Sequence, residues 1–172
     1  ALINPAAGSR IAIGKALTNI IWAPLEKNLK SVTLSANWMW PCNNPGEDAR
    51  LYKAVESCSN FAIGLGINIP TGKDSLSMKQ KYNDEEVLSP GTVIISAAAN
   101  CNDITNIIEP QFKLNNQNIY YINLSNNNFN LGGSAFSQSM SFIGSSTIDV
   151  SNSEYFKRAF NIFQNLIKDK II

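Results

Sequence analysis

From position 47 onward, apolar residues return every three or four places. Leu51, Val55, Cys58, Ala62 and Leu65 fall on one side of a 3.6-residue period, which predicts a helix. Asn44 can cap it, Pro45 suits its first position, Glu47 stands three after the cap as in a capping box, and Gly66 is placed to end it. A second helical stretch runs from Pro5 to about Trp22, with Ile13, Leu17, Ile20 and Ile21 as its apolar stripe and small residues elsewhere. A third, amphipathic, covers Tyr155 to Ile167. Period-2 alternation marks a strand over Lys30 to Trp38, with Val32, Leu34 and Ala36 inward. Further strands are expected at Ile67 to Ile69, about Asp74 to Lys81, Thr92 to Ala99 (which looks buried) and Ile119 to Leu124. Between them lie a glycine turn at Thr71-Gly72, a polar turn at "YNDEE", and a proline-bearing, Asn-rich linker over 109–118. Gly132-Gly133-Ser134 opens a short helix. Helices and strands alternate without a long repeat, so the class is α/β or α+β, and the residues after the linker read as the opening of a second domain.

Composition narrows the function classes. A chain of 172 residues, 44% hydrophobic, can bury a core. A net charge of +1 gives no footprint for nucleic acid, and the longest apolar run, Val93 to Ala99, is too short to span a bilayer, so neither partner is expected. The first residues lack the basic-then-apolar pattern of a signal peptide, and the start at Ala1 suggests a piece of a longer chain. Cys42, Cys58 and Cys101 form neither a close pair nor an even set, which suits a reducing cytoplasm. Histidine is absent, so the commonest general base near neutral pH is missing and Cys-His or Ser-His nucleophiles cannot be built from these residues. No catalytic residue is expected among them; positioning and electrostatics are. Asn126-Asn127-Asn128 reads as a loop tip, not a binding tract.

The candidate chemistry sits in "IPTGKDSLSMK", residues 69–79. A Gly-Lys pair after an apolar run suggests a phosphate loop, but a P-loop needs G-x-x-x-x-G-K-[ST]. Five residues, not four, separate Gly66 from Gly72, and Asp74 stands where the magnesium-binding hydroxyl belongs. The following Asp74-Ser75-Leu76-Ser77-Met78 alternates like a strand rather than a helix. It is not a P-loop.

Taken in order, "NPAAGSRIAIGKALTN", "LSANWM", "GEDARLYKAV", "GINIPTGKDSLSM" and "LGGSAFSQ" resemble the phosphoribosylformylglycinamidine synthase family in its large single-chain form, within the second half of the synthetase region. The resemblance implies an ATP-dependent amidoligase of purine biosynthesis: ATP activates the amide oxygen of formylglycinamide ribonucleotide, and ammonia from a glutaminase domain displaces phosphate. It implies a domain like the N-terminal domain of aminoimidazole ribonucleotide synthetase, with a four-stranded sheet and helices, over 1–114 and incomplete at its N-terminus. Residues 115–172 would begin the α/β C-terminal-type domain. Partners would be the other synthetase half, whose sheet pairs with this one in a barrel, and the glutaminase domain of the same chain. Cofactors would be ATP or ADP with Mg2+.

By position in the family, Gly72 would let backbone approach phosphate, Ser75 would donate to the ribonucleotide, and Lys73 and Asp74 would bracket a nucleotide with charge. Lys15 and Asn19 lie one helical turn apart. The family usually carries Glu at the Lys15 position, where with Asn it ligates magnesium of an auxiliary nucleotide. An ammonium cannot ligate a cation, so Asn19 alone keeps the metal role and Lys15 would meet the nucleotide itself. Glu47, Asp48 and Arg50 read as a charged first helical turn, and Gly132-Gly133-Ser134 either offers N–H groups to an anion or is a plain turn and cap. This piece then either contributes residues to the catalytic site, or is a structural half holding an auxiliary nucleotide, or is a stand-alone nucleotide-binding module. Isolated, it is expected to be inactive.

Overall fold

The structure, a computed structural model, describes residues 1–111, 118–126 and 128–172. Helix α1 (Pro5–Ile20) starts at Asn4, whose side-chain oxygen accepts the Ala7 N–H at 3.1 Å, and has proline in its first turn. Ile13 and Leu17 are fully buried, as their stripe predicts. A 3-10 turn (Asn28–Ser31) leads into β1 (Thr33–Met39).

Helix α2 (Glu47–Leu65) ends as expected at Gly66, which adopts a left-handed φ of 77° and donates to the Ala62 and Ile63 carbonyls. Its start differs from the expected capping box. Gly46, at φ 81°, is the cap, and the Asn44 amide is occupied by the Pro41 carbonyl at 2.8 Å. The core face is Ala54, Cys58, Phe61, Ala62 and Leu65; Val55, expected inside, is 41% exposed.

The main sheet has the order β2-β1-β5, with β2 (Asn68–Ser75) parallel to β1 and β5 (Thr92–Ala98) antiparallel to it. The α/β class therefore holds, with three strands in this sheet among the described residues rather than four. The expected turn at Thr71-Gly72 does not exist: β2 runs straight through it, pairing Thr71 with Ser35 and Gly72 with Ala36. The irregularity lies one residue earlier, where an extra β2 residue near Pro70 bulges out. The strand expected from Asp74 to Lys81 is broken, because β2 ends at Ser75 and β3 (Lys79–Tyr82) begins a separate hairpin with β4 (Glu85–Leu88). Asn83, at φ 54°, supplies the tight turn, so Glu85 and Glu86 of "YNDEE" are strand residues.

Leu34, Ala36 and Trp38 point to the inner face of the sheet, where α1, α2 and the last helix, α4 (Ser153–Lys168), close one core. The other face is open. It carries Ser35, Asn37 and Met39 of β1, and the exposed Ile94, Ser96 and Ala98 of β5, so β5 is half buried rather than fully so. Phe156, Phe160 and Ile167 of α4 are buried in the same core as Ile13 and Leu17. The expected boundary at 114/115 and residues 112–117 of the linker lie outside the described residues, as does Asn127. Ile119–Leu124 forms no strand, and Tyr120 and Tyr121 are each 81% exposed. Among the described residues no helix is long and apolar enough to cross a membrane.

Candidate functional site

Edge strand β2 presents the candidate residues in alternation. Its register places Lys73 beside Asn37 and Ser75 beside Met39 on the open face, while Gly72 and Asp74 pair with Ala36 and Trp38 of the inner face. The Lys73 N–H donates to Asn37 Oδ1 at 2.8 Å, and the Trp38 N–H lies 3.4 Å from Asp74 Oδ1. The Ser75 carbonyl accepts from the Trp40 N–H at 2.8 Å. Among the described residues the Ser75 hydroxyl and the Lys73 ammonium form no hydrogen bond or ion pair, and both are exposed. A hydroxyl and an ammonium two residues apart on one face of a strand can together meet an anion. Asn37 joins them. Sequence reasoning passed over it, although the alternation of "LSANWM" already puts it opposite the buried Leu34, Ala36 and Trp38.

Gly72 serves the sheet first. A Cβ there would overlap the Ala36 carbonyl oxygen, with the Ala36 carbonyl carbon only 3.0 Å away. Its missing side chain is thus used by a neighbouring strand, whatever else the strand binds.

Lys15 and Asn19 stand exposed one turn apart on α1, which packs on the inner side of the sheet. They are in a different layer from Lys73 and Ser75, and no hydrogen bond joins the two groups among the described residues. Asn19 offers one neutral oxygen, Lys15 is a cation, and no group of three His, Cys, Asp or Glu side chains stands together among the described residues. This donor set does not by itself fit a resident magnesium ion. It does fit phosphate oxygens, which an ammonium and an amide N–H can both meet.

Two other candidates are occupied by the fold. Arg50 pairs with Glu47 at 3.2 Å and donates to the Ala1 and Leu2 carbonyls, each at 3.0 Å, so this charged turn is a clamp on the chain's first residues. The Gly132, Gly133 and Ser134 N–H groups already donate to the carbonyls of Ser146, Ile143 and Leu131. The Ser134 hydroxyl caps α3 (Ala135–Ser139) at Ser137 N. No N–H of that turn is left for an anion.

The grooves lie elsewhere. One of about 370 Å³ between α2 and the β1–β2 edge is lined by Trp38, Val55, Ala62, Ile63 and Ile69, and another of about 260 Å³ runs along α4 beside Ile122 and Ile162. Neither touches Lys15, Asn19 or Gly72–Ser75. Both grooves are open and mostly apolar, and the exposed polar groups stand apart from them. Of the three cysteines, Cys58 is 2% exposed and its thiol is pushed up to about 11 by burial. Cys42 is raised by desolvation and then by the Asp48 and Glu47 carboxylates. Neither is an activated nucleophile.

Comparison with known proteins accounts for nearly the whole chain. It is 39% identical over 173 residues to the Homo sapiens phosphoribosylformylglycinamidine synthase, covering 99% of this chain and 13% of that protein. The probable phosphoribosylformylglycinamidine synthase, chloroplastic/mitochondrial, of Arabidopsis thaliana is 38% identical, with 99% and 12% covered. The probable enzyme of Caenorhabditis elegans is also 38% identical, with 96% and 13% covered. The chain spans only 12–13% of the length of these curated relatives. Residues 1–100, which hold α1, α2 and the whole β2-β1-β5 sheet, match the family described as the FGAR-AT PurM_N-like domain, and the chain belongs to that family.

Proposed function

We propose that these residues are part of a phosphoribosylformylglycinamidine synthase, an ATP-dependent C–N ligase that converts formylglycinamide ribonucleotide, ATP and glutamine to formylglycinamidine ribonucleotide, ADP, phosphate and glutamate. The observation that carries this is identity of 38–39% running through 96–99% of the chain. Within that enzyme the end of β2 takes the ribonucleotide. The Ser75 hydroxyl and the Lys73 ammonium meet its phosphate on the open face, with Asn37 alongside and Asp74 on the opposite face of the strand. Lys15 and Asn19 hold an auxiliary nucleotide through its phosphates. Proton transfer and glutamine hydrolysis belong to other parts of the full-length protein, because no histidine is present here. The 172-residue chain alone is therefore inactive. Three free cysteines suit a cytoplasmic setting.

The test is Ser75→Ala in the full-length enzyme. Losing one hydrogen bond to a charged phosphate removes about 1.5–3 kcal/mol, so kcat/KM for the ribonucleotide should fall roughly tenfold to a hundredfold while KM for ATP holds. Wild-type efficiency would reduce Ser75 to a strand-end residue. One observation favours a second reading, that this half is chiefly structural: the outer sheet face is open across β1 and β5, as a barrel partner would need. Under that reading Ser75→Ala leaves kcat/KM intact.

A further inference from the structure

We infer that Gln164 of α4 is a positioning residue for the Lys15–Asn19 end of α1, so that the C-terminal part of the chain controls the proposed auxiliary nucleotide site; the inference rests on that reading of Lys15 and Asn19. Gln164 is fully buried, yet it stands on a helix that is otherwise cleanly amphipathic. A buried amide must find partners, and all of these are backbone groups of the connection leaving α1. Its Nε2 donates to the carbonyls of Ile21 (2.5 Å) and Ala23 (3.0 Å), and its Oε1 accepts the Leu25 N–H at 2.8 Å.

A helix C-terminus leaves carbonyls without intrahelical partners. Here Ile20 is met by the Ala23 N–H at 3.3 Å, Trp22 by Ile108 at 3.0 Å and Pro24 by Asn102 at 3.0 Å. Ile21 and Ala23 depend on Gln164, a residue more than 140 positions away. Neighbouring turns of α4 grip the same connection. Phe163 meets Trp22 edge-on at 5.3 Å, and Lys168 Nζ donates to Asn28 Oδ1 at 2.6 Å. Asn19 lies two residues before Ile21 and Lys15 one turn earlier, so the clasp fixes the direction in which that last turn points.

The test uses the full-length protein with Gln164→Leu and Gln164→Glu, and reads two quantities. One is hydrogen exchange of the segment 15–25. The other is the nucleotide, probed with ADP, that is retained in wild type and lost in Asn19→Ala. Gln164→Leu should speed exchange at 15–25 and lower ADP retention at least tenfold, with KM for the ribonucleotide unchanged. Gln164→Glu separates positioning from packing. Its carboxylate would face two carbonyl oxygens, and burial raises its pKa. Protonated, it donates again, so protection and ADP retention should recover as pH is lowered through that raised pKa. Recovery is read against wild type over the same pH range, which takes out the titration of ADP itself. Lys168 is turned to Asn28, Glu26 to Lys27 and Asn100, Arg10 to Asp149, and Lys15 and Lys27 are exposed. Unchanged exchange in Gln164→Leu overturns the inference, as does faster exchange with full ADP retention. Wild-type protein that retains no Asn19-dependent nucleotide overturns the auxiliary-site reading itself, and the coupling with it.

Discussion

Gly72→Ala decides whether this residue serves the sheet or a ligand. The added methyl would overlap the Ala36 carbonyl oxygen, a backbone atom inside the β1 ladder that cannot swing aside as a side chain would. Forcing a methyl into packed structure costs typically about 1–3 kcal/mol. Relief by moving β2 away weakens ladder bonds worth about 0.5–1.5 kcal/mol each. The lost flexibility of the unfolded chain returns only about 0.4–1 kcal/mol. A net loss of about 1–4 kcal/mol follows, or a Tm lower by about 2–15 °C for a chain of this size. Urea unfolding followed by tryptophan fluorescence suits the site, because Trp38 pairs with Asp74 in the adjoining register. Gly46→Ala is the control. Its φ of 81° makes alanine strained, by about 1–2 kcal/mol, but a Cβ there meets nothing within 4 Å. If Gly72→Ala is as stable as wild type, or loses less than Gly46→Ala, β2 is not seated against Ala36. If stability is unchanged while ribonucleotide use collapses, the glycine is a phosphate cradle after all.

Two further outcomes are expected. Because burial pushes the Cys58 thiol up to about 11, above the usual value of about 8.5, the unfolded chain releases its proton first as pH rises. Between those values the unfolded state binds fewer protons, so the contribution of Cys58, about 3 kcal/mol, is fully present below about pH 8.5 and lost on approaching pH 11. Cys58→Ala should flatten that alkaline decline in urea midpoints; an identical decline in the variant would assign it to other groups. Asp149→Asn breaks the two-pronged pair with Arg10, at 2.8 and 2.6 Å with side chains 19% and 22% exposed. It should remove about 1–3 kcal/mol and with it part of the salt dependence of Tm, and an unshifted Tm would show that water replaces the pair at no cost.

What was legible in the sequence, and what was not, divides by the distance over which each residue is determined. The stripes Ile13–Leu17 and Cys58–Ala62–Leu65, and Gly66 as a helix end, follow from neighbours within a turn or two, and each is found where its spacing puts it. Gly72 looks like a turn residue because glycine before Lys-Asp is turn chemistry, but its conformation is set by Ala36 on a strand 36 residues away. The capping box fails because α2 starts at Glu47 with Gly46 as its cap, two residues beyond Asn44, whose NH2 instead donates to the Pro41 carbonyl. Ile119–Leu124 has strand composition, but a strand also requires a partner, and none pairs with it among the described residues. Gln164 would pass for a solvent position on an amphipathic helix until the carbonyls of Ile21 and Ala23 are placed beside it.

The same accounting bears on the site. Polar groups in a sequence motif become binding groups only when the fold leaves them unclaimed. At Gly132–Ser134 every N–H is already given to a carbonyl of the chain, and at Arg50 the guanidinium is given to Glu47 and the first two residues. At edge strand β2 the backbone groups facing β1 are used by the ladder, by Asn37 and by Trp40, while the Lys73 ammonium and Ser75 hydroxyl stay exposed on the open face. The strand fixes the backbone beneath these two donors, though the Lys73 stem still has to be ordered when it meets an anion. Gly72 has a structural task of its own there: it lets β2 approach the Ala36 carbonyl of β1.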